Sequence, residues 1–115
     1  MSRIAGSFAI IELRGQLDLT CSPALRDQLL GLLGRRSSHL VFDLSAVTYC
    51  DASGLAVLVG TARRARLLAG SVRLAAISPP VEHALQLTGL HRHLDVFATV
   101  AAATAGYQLE HLVRA

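Results

Sequence analysis

The most informative stretch of the chain runs Val41-Phe42-Asp43-Leu44-Ser45-Ala46-Val47-Thr48-Tyr49-Cys50-Asp51-Ala52-Ser53-Gly54-Leu55. An apolar strand enters a loop, and Asp51-Ala52-Ser53-Gly54 then opens a helix. Such a junction aims backbone N–H groups and the positive end of the helix dipole at one point on the surface. In an open α/β sheet, ligands and partners engage at that same edge. Spacing alone leaves two readings standing. Asp51 or Ser53 simply caps the helix, or the junction is a binding site that uses them.

Other candidate chemistry is thinner. His83, His91, His93 and His111 lack Cys or carboxylates at ligand spacing, so no metal is expected. Ser, His and Asp residues show no triad spacing, and neither G-x-S-x-G nor G-x-x-x-x-G-K-[ST] is present. No cofactor and no catalytic residue is expected, and the chain does not read as an enzyme. Cys21 and Cys50 lack CxxC spacing and a secretory context, so both are expected to stay reduced. The arginines Arg63, Arg64 and Arg66 cluster on one segment and read first as a solvated face, or else as a contact for an acidic partner.

These residues must be held by a small fold. The chain has 115 residues, 52% hydrophobic, 17% charged and 4% aromatic, which fits one domain, 1–115. A chain of this size buries roughly two thirds of its unfolded surface and needs no disulfide or metal to hold a core. Low charge with high apolar content argues against disorder. The apolar runs Leu55–Val59 and Val96–Ala105 fall short of the roughly 18 residues that a membrane-spanning helix needs. Glu12 and Arg14 interrupt the first apolar run, so no signal peptide is expected and the setting is expected to be cytoplasmic. Net charge is +3 and every Lys/Arg position is Arg. Without a concentrated basic face carrying aromatics, direct nucleic-acid binding is not expected.

Periodicity predicts a strand over Ser7–Arg14, with Phe8 and Ile10 on one face and Ile11 and Leu13 on the other, broken at Gly15. A helix follows, capped by Ser22 with Pro23 at its first position, striped by Leu25, Leu29, Leu32 and Leu33, and ended by Gly34. Leu40–Leu44 reads as a strand buried on both faces. The next helix is expected over Ser53–Ala69, closed by Gly70, with Leu55, Leu58, Val59, Ala62 and Ala65 inward. Val72–Ile77 is a strand. Ser78-Pro79-Pro80 starts a helix that buries Leu85 and ends at Gly89. Leu94–Phe97 is a short strand, and Leu109, Leu112 and Val113 belong to a last helix interrupted at Gly106. Alternating strands and helices imply an α/β mixed sheet with a parallel core and about four helices.

At these residues the chain resembles the STAS domains, the family of sulphate transporters and anti-sigma factor antagonists. Gly15-Gln16-Leu17-Asp18 is similar to the family's Gly-Glu-Leu-Asp. Phe42-Asp43-Leu44-Ser45 through Gly54-Leu55 is similar to its Asp-Leu-Ser…Asp-Ser-Ser-Gly-Leu core. Val72-Arg73-Leu74, Ile77-Ser78-Pro79 and Leu87-Thr88-Gly89-Leu90 resemble the anti-sigma factor antagonist branch. The resemblance implies a STAS-like domain that binds an anti-sigma factor of the serine-kinase type and so frees a sigma factor. It also implies that Asp18, Asp51, Ala52, Ser53, Gly54 and Leu55 form the partner-binding surface. The expected state is a monomer or weak homodimer away from membranes. The alternative is a STAS subunit or scaffold in a transporter or a multiprotein signalling assembly.

One position departs from the pattern. The family's phosphoacceptor follows the motif's Asp, and here that residue is Ala52, which has no hydroxyl. Ser53 keeps an OH, but one residue along a helix turns a side chain by roughly 100°. Either Ser53, or Thr20 or Ser45 nearby, takes over phosphorylation, or the protein binds without that switch. The second reading is preferred.

Overall fold

The computed structural model describes residues 2–5, 8–33 and 39–105. Its elements in chain order are β1 (Ser2–Ala5), β2 (Phe8–Leu17), α1 (Ser22–Leu32), β3 (His39–Cys50), α2 (Ala52–Leu67), β4 (Ser71–Ala75), α3 (Pro79–Thr88), a 3-10 turn (Leu90–His93) and β5 (Asp95–Phe97). Residues 100–105 are helical. The five strands form one sheet in the order β1-β2-β3-β4-β5. β1 runs antiparallel to β2, and β2 through β5 are parallel. Crossovers between sequential parallel strands are right-handed, so α1, α2 and α3 pack on the same face. The mixed sheet with a parallel core is the expected architecture.

Alternation along β2 divides the interior. Ile11 and Leu13 join Phe42, Leu55, Leu58, Leu74 and Leu85 in the core between sheet and helices. Phe8 and Ile10 face the other way, packing with Val41, Ala75 and Ala103 of the 100–105 run. Every residue of the expected α2 stripe is buried. In α1 Leu29 is buried, as is Leu33 just past its end, with Leu25 and Leu32 packed against the same core.

Several boundaries differ from expectation for backbone reasons. Gly15 does not end β2. It adopts a φ of +79° beside register shifts in which β3 carries the extra residue, so the irregularity belongs to β3 and β2 continues to Leu17. β3 is longer than Leu40–Leu44 because its far half still ladders with β2, down to Leu17 opposite Cys50. The expected cap Ser22 is the first helical residue of α1; Cys21 takes the cap position, with no side-chain cap bond. α2 stops at Leu67 rather than Ala69, because Ala69 takes a left-handed φ of 59° and the Gly70 amide turns back to the Ala65 carbonyl. Ala76, at φ 53°, ends β4 before Ile77 while its amide donates to Phe97. β1 and the 3-10 turn were not expected. Gly34 and the helix expected beyond Gly106 lie outside the described residues.

One contact decides where α2 starts. Gly54 is buried so closely beneath the end of β2 that a Cβ placed on it would stand 2.3 Å from the Leu17 carbonyl oxygen. No real side chain tolerates that distance. The absence of one lets the first turn of α2 press against the chain just before Asp18.

Two stability measurements follow. Phe42 is fully buried, so Phe42→Ala should destabilise by about 3–5 kcal/mol in urea unfolding; a loss below about 1 kcal/mol would remove it from the core. Gly54→Ala adds only a methyl to a helix and on propensity alone should stabilise it. The clash with Leu17 reverses that sign, and a loss of about 1–3 kcal/mol is expected. An unchanged midpoint in the same titration would show that the helix and β2 do not meet there.

Candidate functional site

The parallel strands β2 and β3 end side by side, with Gln16 opposite Tyr49 and Leu17 opposite Cys50. One residue further, the Asp51 amide donates to the Leu17 carbonyl at 3.1 Å and extends the ladder into the helix cap. The Asp51 carboxylate then accepts from the Gly54 amide at 3.0 Å, and its carbonyl receives the Leu55 amide at 3.1 Å. Asp51 is therefore the cap of α2. That satisfies one of the helix's orphan amides without removing Asp51 from the surface, since its side chain is only half-buried.

Asp18 organises the facing loop. Its Oδ1 accepts from the Thr20 amide at 3.1 Å, the Thr20 hydroxyl at 2.7 Å and the Cys21 amide at 3.3 Å. The Thr20 hydroxyl above all, aided by the Cys21 and Thr20 amides, holds the Asp18 carboxyl below its usual pKa against the opposing effect of desolvation. Asp18 therefore builds the turn that leads into α1. Cys21 braces the same turn: its thiol donates to the Gln16 carbonyl at 3.0 Å and accepts from the Asp18 amide at 3.3 Å. Cys50 lies beneath, and burial, then the nearby Asp51 and Cys21, push its thiol up to about 11. At neutral pH it is a protonated core side chain and not a nucleophile.

Gln16, Asp18, Leu19, Thr20, Tyr49 and Asp51 line one shallow concavity. The structure thus brings Asp18 and Asp51 together on one surface. Ala52, exposed, stands at the first helical position beside them. Ser53 is turned away and opens instead onto a groove between α1 and α2, shared with Leu19, Pro23, Arg26, Ala56, Val57 and Gly60. The expectation that Gly54 and Leu55 touch a partner needs correction. Gly54 is pressed against Leu17 and Leu55 is fully buried, so both shape the surface from beneath.

The other hydroxyls considered are engaged. Thr20 donates to Asp18, and Ser45 donates to Asp43 at 2.7 Å. Tyr49, half-exposed, and Leu19, 71% exposed, were missed as candidates. The run Thr48-Tyr49 gave no alternation by which to orient Tyr49, whereas Leu19 between Asp18 and Thr20 was a legible signal, an apolar side chain in a polar turn. His83, His91 and His93 are exposed, and among the described residues no group of three or more His, Cys, Asp or Glu could hold a metal. Arg66 donates to the His93 carbonyl at 3.4 Å, tying the end of α2 to the 3-10 turn. Among the described residues no helix is long and apolar enough to cross a membrane.

Comparison with known proteins agrees with this architecture. The chain is 31% identical over 88 residues to the anti-sigma-B factor antagonist of Bacillus subtilis, covering 76% of this chain and 80% of that one. It is 29% identical over 89 residues to the anti-sigma F factor antagonist of Paenibacillus polymyxa, covering 76% of each. The crystal structure of a candidate anti-sigma factor antagonist from Thermotoga maritima superposes with a TM-score of 0.83 at 20% identity, over 92% of both chains. The STAS domain model itself matches residues 1–103. With strand order, motif positions and relatives all in agreement, the chain belongs to the STAS domain family.

Proposed function

We propose that this protein is an anti-sigma factor antagonist that works by binding, without catalysis, in the cytoplasm. Its partner is an anti-sigma factor of the serine-kinase type, and the antagonist releases the sigma factor that this partner holds. The observation that carries the reading is the match to the Bacillus subtilis antagonist across three quarters of the chain. The site supports it with a surface suited to a protein partner: Asp18 and Asp51 rim a concavity too shallow to enclose a small molecule, with Tyr49 and Leu19 adding apolar area. Asp18, Asp51, Ala52 and Ser53 make or flank the contact; Gly54 and Leu55 support it. The protein acts as a monomer or weak homodimer.

Regulation departs from the family at Ala52. A phosphate adds about −2 charge and three acceptor oxygens, and at the first turn of α2 it would stand next to the Asp51 cap, at the proposed contact. Ala52 offers no oxygen to carry it. The neighbouring Ser53 opens onto the α1/α2 groove and does not line the concavity of Asp18 and Asp51. Binding therefore runs without the phosphorylation switch.

Asp51→Arg places a cation at the positive end of the α2 dipole and reverses the charge at the concavity. It should abolish anti-sigma factor binding in calorimetry, while the lost cap costs only about 1 kcal/mol of stability. A folded variant with wild-type affinity would put the interface elsewhere.

Ala52→Ser should turn a poor kinase substrate into a good one. Phosphoryl transfer needs the hydroxyl in line with the γ-phosphate, and a misplacement of about 1 Å can cost roughly 100-fold in rate. Ala52 is exposed, so a serine there meets no steric barrier. Intact mass after incubation of wild type, Ala52→Ser and Ser53→Ala with the cognate kinase and ATP checks this. Rapid stoichiometric phosphorylation of wild type, lost in Ser53→Ala, would make Ser53 the regulatory site.

A further inference from the structure

We propose that the groove between α1 and α2 seats one helix of the anti-sigma partner, packed close over Ala56 and Gly60 with a carboxylate set against Arg26. This rests on the binding function proposed above and adds the element and charge of the partner that the antagonist reads.

The groove has two walls with helical spacing. Ser53, Ala56 and Gly60 of α2 lie at i, i+3 and i+7, and Pro23 and Arg26 of α1 lie at i and i+3. The α2 wall runs over the eight residues 53–60, roughly 10 Å or two helical turns. Its side chains are small, and a Cβ built on Gly60 would meet nothing within 4 Å, so the space above it is open. Interaxial distance between packed helices is set by the side chains at the contact. A third helix can therefore approach more closely here than it could over leucines. An extended peptide gains less, because both walls are helices whose backbone groups are bonded internally and leave no edge for strand pairing.

Charge selects among possible helices. Among the described residues Arg26 is the one charged side chain lining the groove, and it forms no ion pair there. Arg63 and Arg64, both exposed, follow just beyond Gly60. Asp27 is the next residue on α1, but it is turned roughly 100° around the helix. A partner helix with Asp or Glu facing Arg26 is favoured. A second copy of this chain would bring its own Arg26, Arg63 and Arg64 to the same cleft, like charge against like charge. Leu19 joins the parts: it lines both the groove and the Asp18–Asp51 concavity and is 71% exposed. A helix lying in the groove would reach the cap of α2 without leaving the surface.

The test uses the full chain and the purified anti-sigma factor from the same organism, with binding read by calorimetry and folding by thermal melting. Gly60→Leu fills the groove and replaces a helix-interior glycine, so it should melt at or above wild type while binding at least about 30-fold more weakly. Arg26→Glu should weaken binding about 10-fold, and a charge reversal at one acidic position on the partner's docking helix should restore it. If wild type binds, Asp51→Arg does not, and both groove variants bind normally, the groove proposal is overturned and the proposed function stands. If wild type fails to bind any anti-sigma factor, the function falls and the groove proposal falls with it. A concentration-dependent dimer split by Gly60→Leu, with partner affinity unchanged, would assign the groove to a second copy instead.

Discussion

The contact between Gly54 and the Leu17 carbonyl is the constraint on which the rest of the site depends. Two segments far apart in sequence, the exit from β2 and the entry to α2, are held at a distance that excludes even a methyl group. The Asp51 amide bonds to the same carbonyl, so one backbone oxygen fixes both the cap and the first turn of the helix. From that oxygen the chain continues directly to Asp18. The spacing of the two carboxylates is thus set by backbone and owes little to the conformations of long side chains. A protein surface that must match a partner gains affinity from such rigidity, because less ordering remains to be done on binding.

The two carboxylates bear this constraint differently. Asp51 spends one oxygen on the Gly54 amide. Asp18 folds its loop by accepting two amides and a hydroxyl on a single oxygen. Those bonds favour the ionised form, so the lowered pKa of Asp18 links loop order to pH with a definite sign. The linkage stabilises the loop above the carboxyl's ordinary pKa and is lost as pH falls through the lowered one. Across neutral pH the loop keeps its shape and the surface keeps its negative charge. Ala52, at the first helical position next to the Asp51 cap, carries no hydroxyl.

Much of this was legible in the residues, for identifiable reasons. Phe8 and Ile10 against Ile11 and Leu13 obeyed the two-residue period of a strand, and the sheet divides them between its two faces. Pro79 and Pro80 announced the start of α3, and Gly89, at φ 70°, its end. Where chain direction is set by tertiary contact, the local pattern misled. Gly15 looked like a stop but lies inside β2, because the pairing continues past it while β3 takes up the extra residues. Ala69 and Ala76 take left-handed conformations that their residue type disfavours, so no composition rule could have placed the ends of α2 and β4 there. Asp51 was visible as a cap or a site and proves to be a cap that stays at the surface. The inward burial of Gly54 and Leu55, and the opening of Ser53 onto the α1/α2 groove, depend on how α2 rolls against β2, which a linear pattern does not encode.

That roll is limited from the other side of the sheet as well. Arg73 on β4 holds its guanidinium 5.0 Å from the Phe8 ring and 5.1 Å from the Phe97 ring, and donates to the Ala103 carbonyl. Cation–π contacts of this kind are worth more when shielded from water. Here they clamp β2, β4, β5 and the 100–105 run across the face that the three long helices leave open. β2 and β4 both ladder with β3, so the sheet under the helices is also tied across its opposite face. The surface formed by Asp18, Asp51 and the α1/α2 groove can then be rigid at its floor and polar at its rim. Ala52 is exposed on that surface, so the absence of a hydroxyl there changes the surface chemistry without touching the core.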